Sequence, residues 1–207
     1  MGKMFSEKLA PEYGIEIVAT EVYSPKATDL SSLVAKMKGM GDIQAIINWS
    51  IVPAQVILAK NIRQAGWDVP VYLSHGFGNI KYVKVGGKAV EGVIFPAGRL
   101  LIADDLSPSH PQKKVLVDYK NAYEAKFNEP VSTFGGHAYD ALMILVQALK
   151  NVGKADVEKV RAEIETMTFV GTGGVFKFSA SDHSGLKIDA FEMMSVKNGR
   201  FVPYMAK

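Results

Sequence analysis

Cysteine is absent from all 207 residues, which excludes disulfides and cysteine chemistry while leaving the compartment undetermined. Long apolar runs are missing too. The longest, such as Ala141 to Val146, fall far short of the roughly 20 residues that a bilayer-spanning helix needs. No leader-like apolar core follows Met1-Gly2-Lys3, which opens into a mixed, charged stretch. There is no large excess of charge of either sign: the formal net charge is +3, and Lys113-Lys114 is the one tight basic pair. The clustered Lys and Arg with stacking aromatics of a nucleic-acid surface are therefore lacking, and no nucleic-acid partner is expected. Internal repeats and low-complexity tracts are also missing. What is present is a hydrophobic content of 48%, ample for the core of one large domain or two small ones.

The chain is organised around residues 42 to 79. Ile43, Ala45, Ile46 and Ile47 form a nearly unbroken, β-branched apolar run, expected to be a parallel strand covered on both faces. After Asn48-Trp49-Ser50, Pro53 opens a helix with Ala54, Leu58, Ile62 and Ala65 on one stripe, and Gly66 closes it. Val69 to Leu73 then returns as a second strand, completing a β-α-β unit. In open α/β sheets ligands bind beyond the carboxyl ends of the strands. Trp49, Ser50 and Ile51 should therefore lie beside Ser74, His75, Gly76 and Phe77 at one rim, as a small-molecule site or as ordinary strand-to-helix loops.

Upstream, Lys3 to Tyr13 reads as a helix stopped by Gly14, Ile15 to Thr20 as a strand, and Asp29 as the cap of a helix carrying Leu30, Leu33, Val34 and Met37. An alternation that begins with a helix suggests a larger protein whose preceding strand is not in this chain. Downstream, Val90 to Phe95 gives one more strand before Pro96, and Gly98 to Pro111 reads as a connector near a domain boundary. Three amphipathic helices follow, with stripes Leu116, Tyr119, Tyr123, Phe127; Ala138, Ala141, Leu142, Leu145, Leu149; and Val157, Val160, Ile164, Met167. The chain ends in strands over 175–178, 188–196 and 201–204, the last two joined by an Asn198-Gly199 hairpin turn.

Few residues suggest catalysis. Ser50 stands where a hydrolase nucleophile would, but Asn48 and Val52 replace the glycines of a nucleophile elbow. His137 and Asp140, three apart, could share a helix face as metal ligands, yet no other histidine shows short ligand spacing to them, so capping or packing is the simpler role. Gly171-Thr172-Gly173-Gly174 precedes a strand where a phosphate loop needs a helix, and reads as a turn. Trp49, Phe77 and Tyr139 could be core aromatics, though Trp49 and Phe77 lie in rim loops where a site would use them for stacking.

In order and spacing, several segments resemble the type I periplasmic binding proteins of the branched-chain amino acid branch, which deliver solutes to ABC importers. They are Thr28-Asp29 after Tyr23, Ile62-Arg63-Gln64-Ala65-Gly66, Leu73 to Asn79, Glu91-Gly92-Val93 with Pro96, Tyr119 to Phe127, His137 to Ala141, and Gly171 to Phe178. The resemblance implies an α/β fold with a parallel sheet flanked by helices in a Rossmann-like lobe, here an incomplete two-lobe architecture. Residues 1–97 and 170–207 would be the second lobe without its first strand. Residues 104–168 would be helices of the first lobe, whose sheet lies upstream and is absent.

It further implies a binding protein, not an enzyme, with no cofactor or metal, working with a membrane permease in the periplasm or at the extracellular surface. The ligand would be an amino acid or a small carboxylate, aromatic ones included, held by Trp49, Ser50, Ile51, Ser74, His75, Gly76, Phe77, His137 and Tyr139. One departure matters: where amino-acid binders of this branch place an acid for the ligand ammonium, this chain has His75, a poor ammonium partner but a donor to a carboxylate. Helices without their sheet would expose an apolar patch, so self-association or segment swapping is expected. Two alternatives remain at this level, a ligand-sensing domain of the same fold in a receptor or regulator and a small α/β hydrolase using Ser50.

Overall fold

The computed structural model describes residues 2–205. Within them the chain forms two compact units. One comprises the residues up to Phe77 with Lys81–Phe95 and Met194–Val202, and the other comprises Gly78–Ile80, Pro96–Met193 and the residues from Pro203 onward. Residues 170–193 thus fall with the helices, where the sequence placed them with the sheet.

The first unit opens with α1 (Gly2–Leu9) and a 3₁₀ turn over Ala10–Tyr13. Gly14, at φ 68°, ends it with its N–H on the carbonyls of Ala10 and Pro11, a left-handed position that glycine takes without strain. Among the described residues, Ile15 to Thr20 does not form the expected strand. A strand exists only through a ladder, and no partner strand lies along this segment. Then α2 (Ser31–Lys38) starts behind Asp29, whose carboxylate accepts from the Ser31 N–H at 2.9 Å.

The expected β-α-β unit follows as β1 (Ile46–Asn48), α3 (Ala54–Gln64) and β2 (Val71–Leu73). The strands run parallel, with Ile46 opposite Val71 and Asn48 opposite Leu73. Helix α3 buries Ala54, Val56, Leu58, Ala59 and Ile62, an apolar face matched to the sheet. Strand β1 is not covered on both faces: Ile46 and Asn48 are buried while Ile47 is exposed. Among the described residues it is an edge strand, with β2 on one side only.

Beyond α4 (Ile80–Gly86), β3 (Ile94–Gly98) joins β2 in parallel and runs through Pro96 instead of stopping before it. The second unit contains α5 (Lys113–Phe127), α6 (Thr133–Val152) and α7 (Val157–Thr166). The Ser132 side chain caps α6 by accepting from the Gly135 N–H, and Asp156 caps α7 by accepting from the Lys159 N–H. The core of this unit gathers Leu100, Ala103, Leu116 and Val131, with Tyr119 and Tyr123 packed against it. A small antiparallel pair, β4 (Thr168–Val170) and β5 (Val175–Lys177), is closed by the glycine turn, where the Gly171 N–H donates to the Gly174 carbonyl. The sequence reading missed β4.

The chain returns through β6 (Phe191–Lys197) and β7 (Arg200–Pro203) to complete a five-stranded sheet of order β1-β2-β3-β6-β7. Asn198 and Gly199 make the β6–β7 turn at φ 54° and 70°, as an Asn-Gly hairpin turn requires. The Glu91 carboxylate accepts from both of their N–H groups, at 2.8 and 2.7 Å. The architecture is α/β, a mostly parallel sheet flanked by helices.

Candidate functional site

The two rim loops after β1 and β2 do meet. The Ser74 hydroxyl donates to the Ser50 carbonyl at 2.6 Å and accepts from the Gly76 N–H at 3.3 Å, fastening one loop to the other. Gly76 is where they touch most closely. A Cβ on it would stand 2.9 Å from both the Ile51 Cα and the Ser50 carbonyl oxygen, so no other residue fits there unaltered. Tyr82 adds a third tie, its hydroxyl donating to the Ile51 carbonyl at 3.1 Å.

These contacts sort the expected site residues into scaffold and surface. Ser74 and Gly76 are buried and spent on the loop-to-loop contact. Phe77 is not a stacking wall. It is fully buried, edge-to-face with Phe95 and Phe201 at centroid separations of 5.1 and 6.4 Å and stacked with Tyr82. What the rim shows to solvent is Trp49, Ile51 and His75, with Ser50 half-buried. Ser50 Oγ accepts from the Val52 N–H at 3.3 Å, a local turn bond. Neither loop carries an acidic residue, so the exposed groups are an indole, an aliphatic side chain and an imidazole.

Polar groups that the sequence did not single out lie beneath this rim. Asn48, the last residue of β1, accepts from the Tyr23 hydroxyl at 2.9 Å, but its amide nitrogen has no protein partner. Gln55, in the first turn of α3, is fully buried with neither amide atom partnered. Only the fold reveals this, since a glutamine at a helix start reads as solvent-facing.

His137 and Tyr139 lie on α6 in the second unit. Tyr139 packs its ring 4.8 Å from that of Tyr119, and His137 is exposed. Asp140, on the same helix, is buried and accepts from the Thr172 N–H at 2.7 Å, the Thr172 hydroxyl at 3.0 Å and the Gly173 N–H at 2.7 Å. It anchors the glycine turn to α6. Burial holds its carboxyl above the usual carboxylate range, against the opposing pull of those hydrogen bonds. Gly171 and Gly173 are small for this reason, because a Cβ on Gly171 would stand 2.7 Å from the Asp140 carboxyl carbon.

Comparison with known proteins places this geometry. The family model described as periplasmic binding protein matches residues 5–200. A Leucine-, isoleucine-, valine-, threonine-, and alanine-binding protein of Pseudomonas aeruginosa is 28% identical over 163 residues, which cover 79% of this chain and 41% of that protein. An extracellular ligand-binding receptor from Rhodopseudomonas palustris superposes with a TM-score of 0.88 at 24% identity, over 98% of this chain and 58% of its own. The branched-chain amino acid transporter substrate binding protein LivJ of Streptococcus pneumoniae, solved with isoleucine, gives a TM-score of 0.75 at 25% identity, over 96% and 54%. The chain thus spans 41% of the curated relative and little more than half of each solved chain.

Proposed function

Because the chain belongs to the periplasmic binding protein family, we propose that it is part of the substrate-binding component of an ABC importer, binding a small solute for delivery to a membrane permease. Periplasmic or extracellular placement goes with that role. The observation that carries the reading is the rim of the first unit. There Ser74 and Gly76 fasten two strand-end loops into one surface that presents Trp49, Ile51 and His75.

The same rim argues for the ligand class. An α-amino acid needs an anion for its ammonium group, and residues 49–51 and 74–79 contain none. An imidazole donates to a carboxylate or carbonyl, and the indole beside it offers a flat apolar face. A small carboxylate with an apolar or aromatic body is therefore the preferred ligand, ahead of a plain branched-chain amino acid. His137 and Tyr139 are assigned to the first-lobe portion of the protein, where Tyr139 packs on Tyr119.

Thermal unfolding of this chain against aromatic and aliphatic carboxylates and the matching α-amino acids tests the assignment. A ligand at about 100 times its dissociation constant adds about 2.7 kcal/mol, a shift of roughly 5–10 °C for a protein of this size. Carboxylates should raise the transition and His75→Glu should transfer the preference to α-amino acids. Unchanged selectivity in that variant removes His75 from the site.

A further inference from the structure

Asn198-Gly199 is the only Asn-Gly pair among the seven asparagines of this chain, and both residues are exposed at the β6–β7 turn. Such a pair carries a chemistry of its own. The Gly199 backbone nitrogen can attack the side-chain carbonyl carbon of Asn198, Cγ, closing a succinimide ring as the Cγ–N bond breaks and ammonia leaves. Water then opens the ring to aspartate or isoaspartate. Each of the other asparagines is followed by a residue whose side chain crowds that nitrogen. Gly199 is open: a Cβ there would meet nothing but its chain neighbours within 4 Å.

The attacking nitrogen is nevertheless held. Glu91 Oε2 accepts from the Asn198 N–H at 2.8 Å, and Oε1 accepts from the Gly199 N–H at 2.7 Å. Glu91 is itself fixed to the same hairpin, because the Gly92 N–H donates to the Val196 carbonyl of β6 at 2.9 Å. Ring closure needs the Asn198–Gly199 peptide to turn about the Asn198 Cα–C bond, which breaks the bond to Oε1. It also needs the nitrogen to give up its proton, and a carboxylate against it opposes the negative charge that develops.

We propose that Asn198 is a deamidation site and that Glu91 slows its reaction in the folded chain. Glu91 stands 107 residues before Asn198, so the protection exists only while the β6–β7 hairpin is in place. The product works against the same contact. Aspartate or isoaspartate at position 198 sets a second carboxylate beside Glu91, and isoaspartate adds a methylene to the turn backbone. The inference is independent of the solute-binding reading.

Peptide mass spectrometry after incubation at neutral pH reads the reaction as the amide-to-acid mass gain on the peptide that holds Asn198. The folded chain should react about tenfold or more slowly than the same chain in guanidinium chloride, the factor that one charge-assisted hydrogen bond supplies. Glu91→Gln keeps the size of the side chain and removes its charge. It should speed the reaction of the folded chain by a similar factor with circular dichroism unchanged, and Glu91→Ala should speed it further. Asn198→Ser should abolish it. Equal rates for the folded and denatured parent overturn the proposal whatever the variants do, and so does a folded Glu91→Gln chain that reacts at the parent's rate. A slower Glu91→Gln chain overturns it too, because the carboxylate would then be a general base that takes the Gly199 proton.

Discussion

Gln55 sits in the first turn of α3 with no exposed surface and no partner for either amide atom. A buried amide with nothing to bond forfeits its hydration, which costs about 1–3 kcal/mol. Gln55→Met, of similar length and without the polar atoms, should raise stability by about 1 kcal/mol in urea denaturation; a loss of that size would mean that bound water satisfies the amide. Asp140 is the opposite case, buried with three donors on its two oxygens. Asp140→Asn turns an N–H₂ group towards at least one of those donors and should cost about 1–3 kcal/mol. The pH dependence has a definite sign. With the folded carboxyl held above its unfolded value near 4, folding takes up a proton between the two, so this group's contribution falls as pH rises through that window. Urea midpoints measured from pH 4 to 7 should show that slope in the parent and lose it in Asp140→Asn; an identical slope in both would assign it to other groups.

Among the elements, the rim depends on two strand-end loops acting as one. Ser74→Ala removes a 2.6 Å bond to the Ser50 carbonyl and should cost about 1 kcal/mol. Gly76→Ala should cost more, about 1–3 kcal/mol, because its Cβ meets backbone that cannot swing aside. Both variants should also weaken solute binding without touching Trp49 or His75. Equilibrium titration of a carboxylate ligand decides this, and full affinity in a folded Gly76→Ala protein would show that the loops bind independently. These elements were legible to different degrees. Residues 42–79 announced their β-α-β order through Pro53, Gly66 and two β-branched runs, which are local signals. The Ile15 to Thr20 strand read equally well from its side chains, yet no ladder forms because pairing is decided by a neighbour the segment does not contain.

For the whole molecule, the self-association expected from exposed apolar helix faces would tie stability to concentration, so the unfolding temperature should rise with protein concentration by mass action. A concentration-independent transition would count against that expectation. Comparison with relatives supports the α/β fold over nearly all of the chain, with a TM-score of 0.88 at 24% identity.

Periodicity, prolines, glycines and caps determined by themselves the α/β class, helices α1 to α3 and α5 to α7, the Asn198-Gly199 turn and the two loops that form the rim, because each rests on interactions within a few residues. Tertiary structure decided the rest. Phe77 became core because Phe95 and Phe201 arrive from distant strands. Asp140 became an anchor because a turn 32 residues away presents three donors to it. Ile47 became exposed because its side chain points to the face of β1 opposite the buried Ile46 and Asn48, a face the described residues leave uncovered. Burial and hydrogen-bond pairing belong to the neighbours a residue acquires, and a sequence states its own residues without stating which of them will meet.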